Sequence, residues 1–192
     1  QDTNNMKKIK AEISARHIHL SQKDLDKLFG KDYKLKKNKD LSQPGEFAAK
    51  ELVEVVNKDR KLKVRIVAPV REHTQVELAM TDCYFLRVYP EIRVSGDIDK
   101  TPGIIIKGPK GSVKIQQGVI VPRRHLHISK EDAKKWKIKN KQKVKVCIKG
   151  KRGLTFDDVV ARVGNFSTAI HLDTDEANAA GLLKCGQVDL KI

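Results

Sequence analysis

The chain has 192 residues, enough to bury one proper core or two small ones, and only 5% of them are aromatic, so any core must be mostly aliphatic. Its formal charge of +16, from 40 Lys and Arg against 24 Asp and Glu, favours anionic partners. The basic residues are spread along the chain without a helix-turn-helix, zinc-finger spacing or aromatic RNA-binding motif, so small phosphorylated molecules are expected rather than nucleic acid. Three widely spaced cysteines with no Cys-x-x-Cys, no apolar stretch of membrane-spanning length and no signal-peptide pattern exclude a disulfide framework and a membrane anchor, and predict a cytoplasmic protein with reduced thiols.

In chain order, the five residues before Met6 are set aside, and the first clear signal is Arg16-His17-Ile18-His19-Leu20-Ser21. Residues i and i+2 share a face only in an extended strand, so His-x-His among Ile and Leu reads as a strand aiming two imidazoles at one point. Ser21-Gln22-Lys23-Asp24-Leu25 then opens a short helix: Ser is a preferred N-cap, and the acidic residue three positions later predicts a capping box closed by Asp24. Strand-like runs follow at 61–67 and 74–78, with a turn at Ala68-Pro69 and the segment Pro69-Val70-Arg71 between them. His73, two residues after Arg71, reads as a surface residue. Runs at 103–106 and 113–115 flank Gly108-Pro109-Lys110-Gly111, which lacks the Walker pattern and reads as a hairpin turn. A further run covers 118–121.

The opening phrase then returns as Arg124-His125-Leu126-His127-Ile128-Ser129, followed by the same kind of helix start in Ser129-Lys130-Glu131-Asp132-Ala133. Runs at 144–148 and 158–163, a turn over 149–153, the segment Thr168-Ala169-Ile170-His171-Leu172 and a short helix near 175–183 complete the chain. Many short strands at this spacing predict a mainly β fold of barrels or sandwiches, and the repeated phrase predicts two similar units.

Four of the six histidines lie in the repeated phrase. Aligning Thr74-Gln75-Val76-Glu77-Leu78 with Thr168-Ala169-Ile170-His171-Leu172 on Thr and Leu puts Glu77 where His171 stands. Each half therefore offers three metal-competent side chains, His17, His19 and Glu77 in one, His125, His127 and His171 in the other. Three protein ligands with an open position are what a catalytic zinc needs, so two ions per chain are expected. Arg16 and Arg124, just before the chelates, can reach a phosphate or pair with a carboxylate. Asp173 and Asp175 can orient an imidazole, but capping the following helix is the better account.

The two His-x-His phrases, Gln43-Pro44-Gly45-Glu46-Phe47-Ala48, Pro69-Val70-Arg71 with Thr74-Gln75-Val76-Glu77, Gly118-Val119-Ile120-Val121 and the stretch from His171 to Ala179 together resemble the PduL-type phosphotransacylases, also called phosphate propanoyltransferases. The resemblance covers nearly everything from about Ile13 onward. It implies two small similar β-barrels from an internal duplication with short capping helices: 7–16 plus 124–192 as one barrel, 17–123 as the other, and a dizinc site between them. The strand leading into the first His-x-His, 8–15, is then expected to pair with the C-terminal barrel.

The resemblance also implies a phosphate acyltransferase that interconverts acyl-coenzyme A plus phosphate with acyl phosphate plus coenzyme A, acetyl or propanoyl. It assigns His17, His19 and Glu77 to one zinc ion, His125, His127 and His171 to the other, and Arg71 to the phosphate, with coenzyme A as a substrate. No covalent acyl-enzyme is required. The short stretch ahead of the first strand carries no extension of the kind that targets some relatives to a microcompartment, which again predicts a cytoplasmic enzyme; a homo-oligomer is compatible with the sequence. Two other classes stay open on the residues alone. One is a zinc-dependent hydrolase of a phosphorylated small molecule, the other a non-enzymatic barrel that binds nucleic acid through its basic surface and carries zinc for stability.

Overall fold

The computed structural model describes residues 6–192, so residues 1–5, set aside above, lie outside the described residues. Strand β1 (Met6–Ser14) comes first. It is followed by β2 (His17–His19), α1 (Gln22–Phe29), β3 (Lys37–Asp40), β4 (Phe47–Asn57), β5 (Arg60–Ala68), β6 (Gln75–Glu77), α2 (Met80–Leu86), β7 (Ile92–Arg93), β8 (Ile104–Lys107), β9 (Ser112–Ile115) and β10 (Val119–Pro122). Then come β11 (His125–Ser129), α3 (Lys130–Trp136), β12 (Lys143–Ile148), β13 (Leu154–Gly164), β14 (Ala169–Asp173), α4 (Thr174–Ala179) and β15 (Gly186–Lys191). No helix among the described residues is long and apolar enough to cross a membrane.

The chain divides into two compact units, one from Ala15 to Arg123 and one that joins Arg124–Ile192 to the N-terminal stretch ending at Ser14. In the C-terminal unit six strands close a barrel in the order β1-β14-β11-β13-β12-β15. Closure leaves no unpaired sheet edge. Its alternating inward residues, among them Leu126 and Ile128 on β11, Ile170 and Leu172 on β14 and Val188 and Leu190 on β15, form an aliphatic core that Phe156 alone among the aromatics enters fully. Lys8 (2.6 Å) and Lys149 (3.2 Å) both reach the buried carboxylate of Asp189 and so tie β1, β15 and the end of β12 together.

The N-terminal unit is an open sheet with strand path β7-β10-β6-β2-β5-β4-β8-β9, and β3 added on β4. Its exposed strand β3 reads Lys-Asn-Lys-Asp, a charged edge that resists pairing with another chain. Strands β4 and β5 form the long hairpin of this unit, closed by the two-residue link Lys58-Asp59 with Lys58 at φ 55°. The 108–111 segment is a hairpin turn as expected, with the Gly108 N–H donating to the Gly111 carbonyl. This turn also finishes α1: the Lys110 N–H donates to the Leu28 carbonyl (3.0 Å). A Cβ on Gly108 would stand 2.7 Å from the Leu28 carbonyl oxygen, so only glycine permits the approach.

The expected runs coincide with β5, β6, β8, β9, β10, β12 and β13. Strand β4 and helix α2 are additions. The first is broken by a register shift between Ala48 and Leu52, and the second is built from Thr, Cys, Tyr and Phe, which carry little helix propensity. The helix starts at Ser21 and Ser129 are N-caps, accepting from the backbone of Asp24 (3.2 Å) and Asp132 (3.0 Å). The expected boxes do not close, because the Asp24 and Asp132 carboxylates accept the hydroxyls of Thr74 (2.6 Å) and Thr168 (2.5 Å) instead. Those same threonine oxygens accept from the Ser21 N–H (2.9 Å) and the Ser129 N–H (3.1 Å), which is why Thr recurs at both positions.

Candidate metal centres

Each His-x-His strand is the middle of three. In the N-terminal unit β2 runs parallel to β5 and antiparallel to β6, with His17 opposite Glu77. In the C-terminal unit β11 runs parallel to β13 and antiparallel to β14, with His125 opposite His171. Ile18 and Leu126, between the histidines, point into the cores and are fully buried. The strand period thus sends both imidazoles to the face away from the core, and the antiparallel neighbour adds the third donor there.

Within each set, His17, His19 and Glu77 or His125, His127 and His171, one donor atom from every residue lies within 4.8 Å of the others. In the first set His17 Nε2 is 3.5 Å from Glu77 Oε2 and His19 Nε2 is 3.8 Å from Glu77 Oε1. His17 Nδ1–H donates to the Ala15 carbonyl (2.9 Å), which leaves Nε2 as the free lone pair. His19 Nδ1 is buried and makes no hydrogen bond. In the second set His127 Nδ1 faces His171 Nε2 at 3.2 Å, and the His125 and His171 rings stack with centroids 5.1 Å apart.

Burial, and then the neighbouring His17 imidazole and the charge of Arg71, pull the His19 pKa down to about 3 against the attraction of Glu77. Burial, then His125, His171 and Arg162, does the same to His127, down to about 2. Burial works to raise Glu77, yet His17, His19, the Ser95 hydroxyl and Arg71 outweigh it and hold the carboxyl below its ordinary range. Neutral imidazoles beside an ionised carboxylate are the protonation states that a divalent ion requires.

Arg71 extends this arrangement. Its backbone N–H donates to the Leu20 carbonyl (2.9 Å), which ties the segment after Ala68-Pro69 to the end of β2. Its Nη1 donates to Ser95 Oγ (3.1 Å), and Ser95 Oγ–H donates to Glu77 Oε1 (2.8 Å). The other end of the guanidinium reaches Glu46 at 3.5 Å and stays about one-third exposed (34%), open to a ligand. Gln75 Nε2 donates to Glu77 Oε1 (2.6 Å) while its Oε1 accepts from the Gly96 N–H (2.7 Å), so the carboxylate is fixed from two sides.

Arg16 and Arg124 resolve in favour of carboxylates: Arg16 pairs with Asp82 in the first turn of α2, and Arg124 with Glu176 in the first turn of α4 (2.9 Å). Their Nε atoms donate to the Lys63 and Asp157 carbonyls. Asp173 is the N-cap of α4 and forms a capping box with Glu176. His73 is exposed, 3.6 Å from Glu72 and outside both donor sets. None of the three cysteines is in a disulfide bond, and none belongs to either set.

Ser95, Gln75 and Phe166 join these surroundings without being foreseen from the sequence. Ser95 lies in a loop eighteen positions beyond Glu77 with no periodic pattern to mark it. Phe166 stacks on His127 with centroids 4.2 Å apart. A Cβ on Gly164 would come within 2.5 Å of the Phe166 ring, so that glycine is the detectable trace of the stacking.

Comparison with known proteins places this site in context. The model of the family described as phosphate propanoyltransferase matches residues 10–183. The phosphate propanoyltransferase of Thermotoga maritima is 48% identical over 173 residues, 88% of this chain and 82% of that protein. That of Clostridioides difficile is 45% identical over 178 residues, 92% and 85% of the two chains, and that of Priestia megaterium is 42% identical over 192 residues, 99% and 88%.

Proposed function

Because the chain belongs to the phosphate propanoyltransferase family, we propose that it transfers an acetyl or propanoyl group between coenzyme A and phosphate, using two zinc ions. The observation that carries the reading is the recurrence of one donor arrangement in both units, with a half-open arginine tied to one of them. The donor sets suit zinc: neutral imidazole and carboxylate, nitrogens converging at 3.2 Å in one unit, and in the other a buried His19 ring whose Nε2 meets Glu77. His17, His19 and Glu77 would hold one ion, and His125, His127 and His171 the other. When bound, such an ion acts as a Lewis acid toward a carbonyl or phosphoryl oxygen and favours the thiolate form of a thiol.

The residues of the chain supply the rest. The planar fork of Arg71 suits the oxygens of phosphate or acyl phosphate, and exchanging its long contact with Glu46 for a phosphate oxygen brings two charge-assisted bonds. Ser95 links that fork to Glu77, so the phosphate position and the carboxylate are set by one hydroxyl. In the synthetic direction the coenzyme A sulfur forms a bond to the acyl carbon, the bond from that carbon to the phosphate oxygen breaks, phosphate departs and the thiol proton passes to solvent. No protein nucleophile is needed. Three cysteines outside any disulfide bond support a reducing, cytoplasmic setting.

The test is an assay of zinc-loaded protein with acetyl phosphate and coenzyme A, following thioester absorbance. Thioester should form only with both substrates present, and arsenolysis or phosphate should reverse it. Release of phosphate from acetyl phosphate at the same rate without coenzyme A would make the protein a hydrolase instead.

A further inference from the structure

The guanidinium that suits phosphate already faces a protein carboxylate. Arg71 Nη2 lies 3.5 Å from Glu46 Oε1, while Nη1 donates to Ser95 Oγ, whose hydroxyl donates in turn to Glu77. Each terminal nitrogen of the fork therefore looks toward an acidic side chain, Glu77 through a hydroxyl and Glu46 directly. The two contacts are unequal. Glu77 is buried and fixed by Gln75 and Ser95, whereas Glu46 is one-third exposed. The Glu46 contact is also long, since a full charge-assisted bond closes to about 2.7–2.9 Å. Glu46 is thus the partner that an incoming anion can displace.

The local fold keeps this carboxylate at hand. Gln43-Pro44-Gly45-Glu46 is a tight turn in which the Glu46 N–H donates to the Gln43 carbonyl (3.1 Å), proline fills the second position and Gly45, at φ 81°, takes the left-handed third. The Glu46 carbonyl accepts from the Leu41 N–H (3.1 Å). Phe47, the next residue, pairs with Asp40 on β3 and with Ala68 on β5, three positions ahead of Arg71. With both backbone groups engaged, Glu46 releases the fork by rotating its side chain and remains beside it. A carboxylate in that place competes for Arg71 before an anion binds and repels the anion afterwards.

We propose that Glu46 is a resident counter-ion of the phosphate fork: it occupies Arg71 while phosphate is absent, yields to phosphate or acyl phosphate, and weakens their hold so that phosphate leaves readily. The proposal rests on reading Arg71 as the phosphate residue. An affinity measured against an occupied fork falls below the intrinsic one in proportion to the fraction of fork left open. Steady-state kinetics of the zinc-loaded full chain read this directly, with acetyl phosphate varied at saturating coenzyme A and phosphate varied at saturating acetyl-coenzyme A. Glu46→Gln, which removes the charge and keeps the shape, should lower KM for both phosphate substrates roughly two- to fivefold and leave KM for coenzyme A unchanged. Glu46→Ala should move the same way and serves where the glutamine variant does not fold. In an Arg71→Ala background Glu46→Gln should no longer change either phosphate KM. An unchanged or raised phosphate KM in the folded Glu46 variants, with Arg71→Ala impaired, would overturn the proposal, a raised value meaning that Glu46 aligns the fork. If Arg71→Ala itself keeps wild-type phosphate kinetics, the phosphate reading falls and this inference with it.

Discussion

The two units share a frame and differ where that frame faces a ligand. In both, an arginine ahead of His-x-His pairs with a carboxylate in the first turn of a helix, and a threonine joins the backbone of a capping serine to an aspartate. In both, the second donor strand runs antiparallel to the first with the same register. Yet the third donor is Glu77 in one unit and His171 in the other, and Arg71 with Ser95 stands beside only the former. Duplication therefore preserved the hydrogen bonds that position the strands, whose loss leaves buried groups unpaired, and let the third donor position diverge. One donor set is anionic and joined through Ser95 to the guanidinium of Arg71; the other is built of imidazoles.

The largest effects are expected from removing one unit's candidate chelate at a time. His17→Ala and His125→Ala should each abolish binding of one zinc equivalent and lower turnover by more than the roughly 10–100-fold typical of residues that merely orient a ligand. Elemental analysis with steady-state kinetics reads both, and retention of two ions in either variant would show that the sets are not metal centres. Next in size is Arg71→Ala, expected to keep both ions while losing about two orders of magnitude in phosphate-dependent rate, a few kcal/mol of lost charge-assisted bonding. Arg71→Lys should recover only part, since the charge returns without the fork. Near wild-type phosphate kinetics in Arg71→Ala would leave the phosphate to the metal centres alone.

Smaller effects test the shared frame. Thr74→Val and Thr168→Val each strand a backbone N–H and a carboxylate, and should cost about 1–3 kcal/mol apiece, similar in the two units. Chemical denaturation measures this, and a loss in one unit only would show that the two locks are not equivalent. The smallest effect concerns barrel closure, which the N-terminal unit lacks. Lys8 and Lys149 hold the Asp189 pKa below its ordinary value, so its ionised form stabilises the fold above the unfolded Asp pKa of about 3.9, and that contribution is lost as pH falls through and below it. Asp189→Asn should therefore lower the melting temperature at neutral pH, with the gap to wild type closing as the solution is acidified. A gap independent of pH would assign the loss to packing.

Much of the site was legible because its signals are local. The two-residue strand period marks His17, His19, His125 and His127, and the Thr-to-Leu alignment puts Glu77 opposite His171. The capping serines were legible, but their partners were not: Asp24 and Asp132 sit at the spacing of a box, and only the fold brings Thr74 and Thr168 within reach of their carboxylates. Ser95 and Phe166 act across loops and leave no period. Strand β4 was hidden because its inward position 51 carries a glutamate and its outward position 52 a leucine, which inverts the polar and apolar alternation that would have marked it.

Titrating zinc into metal-free protein while following thioester formation from acetyl phosphate and coenzyme A asks whether this chain is a phosphate acyltransferase that works through two metal centres. Activity should be negligible without metal and rise to saturation near two equivalents per chain. Full activity in the metal-free protein, or saturation at one equivalent with His125→Ala as active as wild type, would contradict it.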